Sequence, residues 1–181
     1  ELLACVPRTV ESCLVTGGNV AEILSLATQL RPDYVQLHYK ESFAETRVLA
    51  EALLTYGIKT IKAVPVREDG SCEMPEFPTV TAAITALAHT TISAVLIDTR
   101  CAATPASRSR PLDPTFCRDL VQISQKPLIL SGGLTGDNLG QILKAAAPYG
   151  VDILTGTEDA PGQKSKEKIE KICRSIHGFH Y

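Results

Sequence analysis

The sequence contains no apolar run close to the ~20 residues that a membrane-spanning helix needs. It also lacks a basic excess, because 18 Lys and Arg stand against 20 Asp and Glu and give a net charge of −2. The charge balance therefore argues against a nucleic-acid partner or an anionic membrane surface. The first residues do not read as a signal peptide. We expect a soluble, cytoplasmic protein with no nucleic-acid or membrane partner.

Cysteine pairs of the C-x-x-C kind are absent as well. The six cysteines are scattered along the chain, which excludes ordinary zinc-site spacing and argues against a disulfide framework. Reduced cysteines behave as small hydrophobes and suit a reducing compartment. The residues His177 and His180 near the end are more typical of a frayed terminus than of a metal site. We expect no cofactor.

What the sequence does contain is an alternation of short apolar runs with segments of helical spacing. With 181 residues, 44% of them hydrophobic, the chain suits a single domain with a sizeable core. Six β-branched or apolar runs predict strands, at residues 12–15, 34–38, 60–64, 94–98, 128–131 and 151–155.

Helices are predicted between these runs. Two helix starts carry capping boxes, at residues 19–22 and 42–45. In the second of these helices the apolar spacing predicts that both Val48 and Leu49 are buried. Strands that alternate with helices indicate a parallel sheet with right-handed crossovers.

Two architectures fit this pattern, an open doubly wound sheet and a closed (β/α)8 barrel. A barrel needs ~200 residues or more and eight units, whereas six units are visible here. The opening residues 2–4 also read as the end of a helix already under way. We therefore expect residues 1–181 to form a single TIM (β/α)8 barrel domain whose first two βα units are absent from this chain.

Glycines mark the ends of the last two predicted strands. Gly132 and Gly133 follow the fifth run, and Thr155 and Gly156 end the sixth. Such turns expose backbone N–H groups, and in barrels the loops after the last two strands commonly bind phosphate. The alternative is that the glycines only make tight turns. We expect these four residues to bind a phosphate group.

Polar residues at other strand ends are further candidates. Asp98 ends a wholly apolar run, and a partly desolvated carboxyl group there suits proton donation, although a capping role is the alternative. Gln36 and His38 share one strand face, where they would bind substrate or be structural. Lys62 is an interior-facing candidate for substrate binding, and its alternative is a salt bridge with a barrel carboxylate.

Several of these segments occur in a recognisable order and spacing. They are residues 34–38 (YVQLH), 61–63 (IKA), 96–99 (LIDT), 130–138 (LSGGLTGDN), 148–152 (PYGVD) and 156–158 (GTE). Together they resemble the phosphoribosylanthranilate isomerase family, over roughly the whole chain.

The resemblance implies an Amadori rearrangement, an aldose–ketose isomerisation in tryptophan biosynthesis. The substrate would be the phosphosugar N-(5-phosphoribosyl)anthranilate and the product 1-(2-carboxyphenylamino)-1-deoxyribulose 5-phosphate. Asp98 matches the family's general acid, and the four phosphate-loop residues named above match its phosphate site. A cysteine serves as base, and no metal or redox cofactor is needed. We expect a monomer or a homodimer.

The chain also departs from the family pattern. The Lys-(Ile/Leu)-Cys-Gly motif of the base and the Ser-Pro-Arg segment that meets the anthranilate carboxylate do not occur, and we expect them in the absent units. Residues 102–110 lack the family's glycines, so that Arg108 or Arg110 would grip an anion by charge instead. Cys101 is an alternative base. A non-catalytic or differently specific phosphosugar-binding barrel therefore stays open as a second hypothesis.

Overall fold

The computed structural model describes residues 2–38, 41–67, 69–99 and 112–179, and its centre is one sheet of six parallel strands. The strands are β1 (Cys13–Thr16), β2 (Tyr34–Leu37), β3 (Lys59–Pro65), β4 (Ala94–Asp98), β5 (Leu128–Ser131) and β6 (Gly150–Asp152). The helices are α1 (Val20–Leu30), α2 (Phe43–Thr55), α3 (Val80–Ala88), α4 (Pro114–Ile123), α5 (Leu139–Ala146) and α6 (Lys166–His177).

The sheet keeps the order of the chain. Each strand pairs in parallel with the next one, from β1 to β6, and the sheet is curled as in the wall of a barrel. A doubly wound sheet would reverse its strand order at a switch point. Because no reversal occurs among the described strands, the doubly wound alternative is wrong, and all six carboxyl ends lie along one edge.

The two faces of the sheet have different partners. On the helix-facing side, Val35 and Leu37 of β2 pack with Ile23 and Leu49 of the first two helices. On the concave side, Ile61, Ala63, Ala94 and Leu96 form a smaller cluster with Tyr34 and Ile129. The alternation along each strand therefore tells which side chains point into the concave interior.

The predicted strands are all present, and the last one is shorter than expected. The predicted strands at residues 94–98 and 128–131 have the same bounds as β4 and β5. The sixth strand, which was predicted to end at residue 155, ends at Asp152 in the structure. Residues Thr155–Thr157 form a 3-10 turn, followed by a small antiparallel hairpin of β7 (Glu158–Ala160) and β8 (Gln163–Lys164). The Thr157 hydroxyl donates to the Leu154 carbonyl over 2.6 Å, which closes this turn.

Both predicted capping boxes are confirmed at the starts of α1 and α2. The burial prediction for α2 is half wrong, because Leu49 is 0% exposed but its neighbour Val48 is 54% exposed. The buried face of α2 consists of Thr46, Leu49, Ala50 and Leu53, and Val48 lies on the opposite side. Within the described residues, no helix is long and apolar enough to span a membrane.

Leu49 and Val48 give a matched test of this packing. Leu49→Ala is expected to lower the free energy of unfolding by about 2–5 kcal/mol, because it leaves a cavity between α2 and the sheet. Val48→Ala, on the solvent side, is expected to change it by less than about 0.5 kcal/mol. Urea unfolding followed by circular dichroism measures both values. Equal losses of unfolding free energy in the two variants would mean that α2 does not turn Leu49 towards the sheet and Val48 towards solvent.

Candidate active site

A row of polar side chains ends the concave face of the sheet. Asp98, Ser131 and Asp152 are the last residues of β4, β5 and β6, and they are neighbours in the strand register. The Ser131 hydroxyl donates a hydrogen bond of 3.1 Å to Asp152 Oδ2. Asp98 is fully buried. Two carboxyl groups thus flank one hydroxyl at the edge where parallel sheets place their chemistry.

The turn after β5 brings backbone amides next to this row. Gly132 and Gly133 both have positive φ, at 114° and 59°, which side chains rarely tolerate. A Cβ on Gly132 would lie 2.0 Å from the hydroxyl oxygen of Thr99, the residue after Asp98. The glycine therefore allows this turn to pack directly against the end of β4, and the acid candidate lies beside the predicted phosphate loop.

Asn138 braces the same turn. Its side-chain oxygen accepts from the Thr135 amide, and its side-chain nitrogen donates to the Gly133 carbonyl, each over 2.8 Å. Both groups of one amide side chain are thus used to hold the loop ahead of α5. This fixes the backbone N–H directions before any ligand arrives, which is what an anion site needs.

The loop after β6 packs against the loop after β5. A Cβ on Gly156 would lie 2.0 Å from the Leu134 carbonyl oxygen, so that only glycine fits. Lys164 stabilises the 3-10 turn by donating to the Leu154 carbonyl and to the Thr157 hydroxyl, each over 2.9 Å. The two predicted phosphate loops are therefore joined through their backbones.

A small cleft separates these loops. It is lined by residues 131–134 and 152–155 and has a volume of about 10 Å³, which holds one water molecule. A phosphate group would therefore lie on the rim of the cleft, against the backbone amides. Gly156 lines a second, wider cleft of about 410 Å³ between this turn and the start of α6, where Lys168 and Lys171 are paired with Asp159 and Asp137.

The remaining candidates are spread over a wider area. Gln36 is buried on the concave face of β2, with Val15 and Ile61 as its register neighbours. His38 follows the end of β2 at the carboxyl edge and is half-buried. Arg108 and the alternatives Cys101 and Arg110 lie outside the described residues.

Lys62 requires a correction. It is the register partner of Leu37 and shares the helix-facing side of the sheet with that residue, so that the expected interior-facing placement is wrong. Its ammonium group is fully buried and lies 3.0 Å from Glu41 Oε2. Of the two possibilities that the sequence offered for Lys62, substrate binding or a salt bridge, the structure shows the salt bridge.

Cys13 lies on the concave face of β1, where it is the register partner of Tyr34. Loss of solvent around the sulfur raises the pKa of the Cys13 thiol, and the Asp152 carboxylate adds to this effect. A raised pKa lowers the fraction of thiolate, which is unfavourable for a general base.

Comparison with known proteins agrees with this arrangement. The family model for N-(5'-phosphoribosyl)anthranilate (PRA) isomerase matches residues 15–175, which include the acid candidate and both glycine loops. The chain belongs to this family. Phosphoribosylanthranilate isomerases catalyse an isomerisation, and the resemblance read from the sequence motifs is confirmed.

Individual relatives support the assignment. The N-(5'-phosphoribosyl)anthranilate isomerase of Rhodopseudomonas palustris strain BisA53 is 31% identical over 169 residues, which cover 90% of this chain and 69% of the relative. The crystal structure of the Thermotoga maritima isomerase is 25% identical, covers 96% of this chain and 76% of that one, and has a TM-score of 0.73. An isomerase solved with reduced 1-(o-carboxyphenylamino)-1-deoxyribulose 5-phosphate is 24% identical, covers 97% and 76%, and has a TM-score of 0.71.

Three residues of the site were not assigned a role from the sequence. Asp152 was part of a family motif, and the alternation of β6 would have placed it beside Ser131. Asn138 was also in a motif, and Asn at a helix start is a known turn-forming residue. Thr99 also ended a family motif, but no local pattern predicts its contact with Gly132, which lies 33 positions further along the chain.

The contact between the two loops can be tested at Gly156. Gly156→Ala is expected to lower the free energy of unfolding by about 1–3 kcal/mol, because the methyl group must displace the Leu134 carbonyl. Gly140→Ala is the control, since an added Cβ there meets no atom within 4 Å. It lies inside α5 and is expected to stabilise by up to about 1 kcal/mol. An unchanged Leu134 amide resonance in Gly156→Ala would contradict the contact.

Proposed function

We propose that this chain carries the acid and the phosphate site of an Amadori rearrangement, in which N-(5-phosphoribosyl)anthranilate becomes 1-(2-carboxyphenylamino)-1-deoxyribulose 5-phosphate in tryptophan biosynthesis. The observation that carries this proposal is the packing of Gly132 against Thr99, which places the end of β4 beside the turn after β5. A phosphate held at that turn would bring the attached ribose next to Asp98.

The phosphate group would be held at the rim between the two loops. Backbone amides of Gly132, Gly133, Thr155 and Gly156 supply donors that carry no net charge of their own. The hydrogen bonds that Asn138 and Lys164 donate to backbone carbonyls of the two loops keep these donors fixed. Little further ordering of the loops is therefore required when the ligand binds. In this proposal the second cleft beside Gly156 stays outside the phosphate site.

Asp98 would act as general acid. Its proton goes to the furanose ring oxygen, the ring C–O bond breaks, and the anthranilate nitrogen forms the Schiff base. A base then removes the C2′ proton, and the resulting enamine tautomerises to the ketose. Because Asp98 is shielded from bulk water, its interaction with charge that develops on the sugar is stronger than in solvent.

We propose further that the six strands are the last six of an eight-stranded barrel. The chain spans 69% of the Rhodopseudomonas palustris relative and 76% of the Thermotoga maritima structure, which leaves room for two further units. The concave face opens on a cleft of about 280 Å³ lined by Tyr34, Ile61, Ala94, Ile129 and Tyr149 among others. Two more strands would cover these side chains, as barrel interiors are packed.

The general base would then belong to those two units. The raised pKa of the Cys13 thiol, which follows from desolvation and from the nearby Asp152 carboxylate, argues against this thiol as the base. His38 and Gln36, on the same concave side, would contact the sugar or the anthranilate ring. Arg108 is retained as a candidate for the carboxylate or phosphate.

Asp98 provides the direct test of the acid role. In the full-length protein, Asp98→Asn is expected to lower kcat for phosphoribosylanthranilate by about 10²–10⁴-fold, because the amide cannot donate the proton at comparable cost. Asp119→Asn is the matched control, since this carboxylate lies exposed on α4 and is paired with Arg118. Chromatographic separation of product from substrate measures turnover, and circular dichroism checks that both variants fold.

Two outcomes would overturn the proposal in different ways. Near-normal turnover by Asp98→Asn would remove Asp98 from the mechanism while leaving the isomerase function intact. Binding of a phosphosugar analogue without any turnover by the unaltered full-length protein would instead favour the non-catalytic hypothesis. Calorimetric titration with the reduced product analogue distinguishes these cases.

A further inference from the structure

One buried charged pair takes no part in the mechanism proposed above. Lys62 is fully buried, and its ammonium group donates to Glu41 Oε2 over 3.0 Å and to the Glu41 main-chain carbonyl over 3.1 Å. The Glu41 side chain is only 2% exposed. Because burying two charges costs more desolvation than an apolar pair of similar size, stability alone is a weak reason for such a pair.

The pair lies where the chain leaves β2 and enters α2. Two further contacts tie this point to the segment after β3. Glu76 accepts a hydrogen bond of 3.0 Å from the Phe43 amide, and the Phe43 and Phe77 rings pack edge to face with centroids 5.3 Å apart. The first turn of α2 is therefore held against β3 and the loop that follows it.

The geometry couples this point to the candidate site. Lys62 is the register partner of Leu37, and the next residue along β2 is His38 at the carboxyl edge. Only three positions later the chain is on the helix-facing side, where Glu41 meets Lys62. Lys62 thus fixes the chain at Glu41, three positions after His38, through both the main chain and the side chain of Glu41.

We propose that Lys62 and Glu41 are positioning residues: Lys62 anchors the chain at Glu41, and this anchor fixes His38, three positions earlier, at the substrate-binding edge. The inference rests on the proposed function, in which that edge binds the phosphosugar. Lys62 does not touch the substrate. Its contact with the Glu41 carbonyl is the feature that an apolar side chain of the same size would not reproduce.

The electrostatics favour a charged pair here. Burial lowers the pKa of Lys62, and the carboxylate of Glu41 opposes this shift, with smaller contributions from Glu76 and Glu45. Glu41 is thus the main source of negative potential at the Lys62 ammonium group. Removal of Lys62 alone would leave the buried Glu41 carboxylate without its cation, which destabilises the fold, so that a single variant does not separate positioning from stability.

The test is a double variant, Lys62→Met with Glu41→Leu, which removes both charges together. We expect it to regain most of the thermal stability that Lys62→Met alone loses, while the KM for phosphoribosylanthranilate stays raised by about tenfold and kcat changes by less than about twofold. Lys59→Met is the matched control, because Lys59 lies on the same strand but forms an exposed pair with Glu11. It is expected to leave KM unchanged.

A second readout does not depend on turnover. The imidazole resonances of His38, assigned through a His38→Gln variant, are expected to shift in the double variant and to stay in place in Lys59→Met. A stable double variant with wild-type KM and unshifted His38 resonances would overturn the positioning role. If the unaltered protein turns over no substrate, the proposed function fails, and the His38 resonances still decide whether the pair positions this residue.

Discussion

Two close contacts that only glycine permits hold the candidate site together. Gly132 lets the turn after β5 pack onto Thr99 at the end of β4, and Gly156 lets the turn after β6 pack onto the Leu134 carbonyl. Three consecutive strand ends are joined in this way, because the two glycines add no side chain of their own at these contacts. Backbone atoms move less than long side chains do, so that donors built on them need little reorganisation when charge develops nearby. The arrangement of the acid, the hydroxyl of Ser131 and the amide turns follows from these contacts.

The local parts of the fold were predictable, because they depend on neighbouring residues. The capping boxes of α1 and α2 and the bounds of β4 and β5 rest on short-range patterns, and the structure has them where the sequence places them. The strand order was not fixed locally, since both a doubly wound sheet and a barrel fit the same alternation of elements. Pairing of each strand with its neighbour in the chain decides between them.

The sequence predictions that the structure corrects have a common cause, which is packing between residues far apart in the chain. Every residue from Thr60 to Val66 is buried, which includes nearly all of β3 and the position after it. An alternation of polar and apolar residues therefore does not show which face of the sheet Lys62 occupies. Val48 and Leu49 are both apolar, and only the direction in which α2 meets the sheet separates them. The 3-10 turn at residues 155–157, where the sequence predicts a strand end, packs through Gly156 against the Leu134 carbonyl, which is far away in sequence. Periodicity within one element carries none of this information.

The chain separates two uses of buried charge by the face of the sheet. On the concave side, Asp98 and Asp152 lie at the strand ends, next to the amide turns where a ligand would arrive. On the helix-facing side, Lys62 and Glu41 neutralise each other away from any such cleft. A carboxyl group at a strand end can gain a further partner when substrate binds, whereas a charged pair in the helix layer must be balanced permanently. The strand alternation therefore places the positive charge of Lys62 on the helix-facing side of the sheet, opposite to the face that carries Asp98.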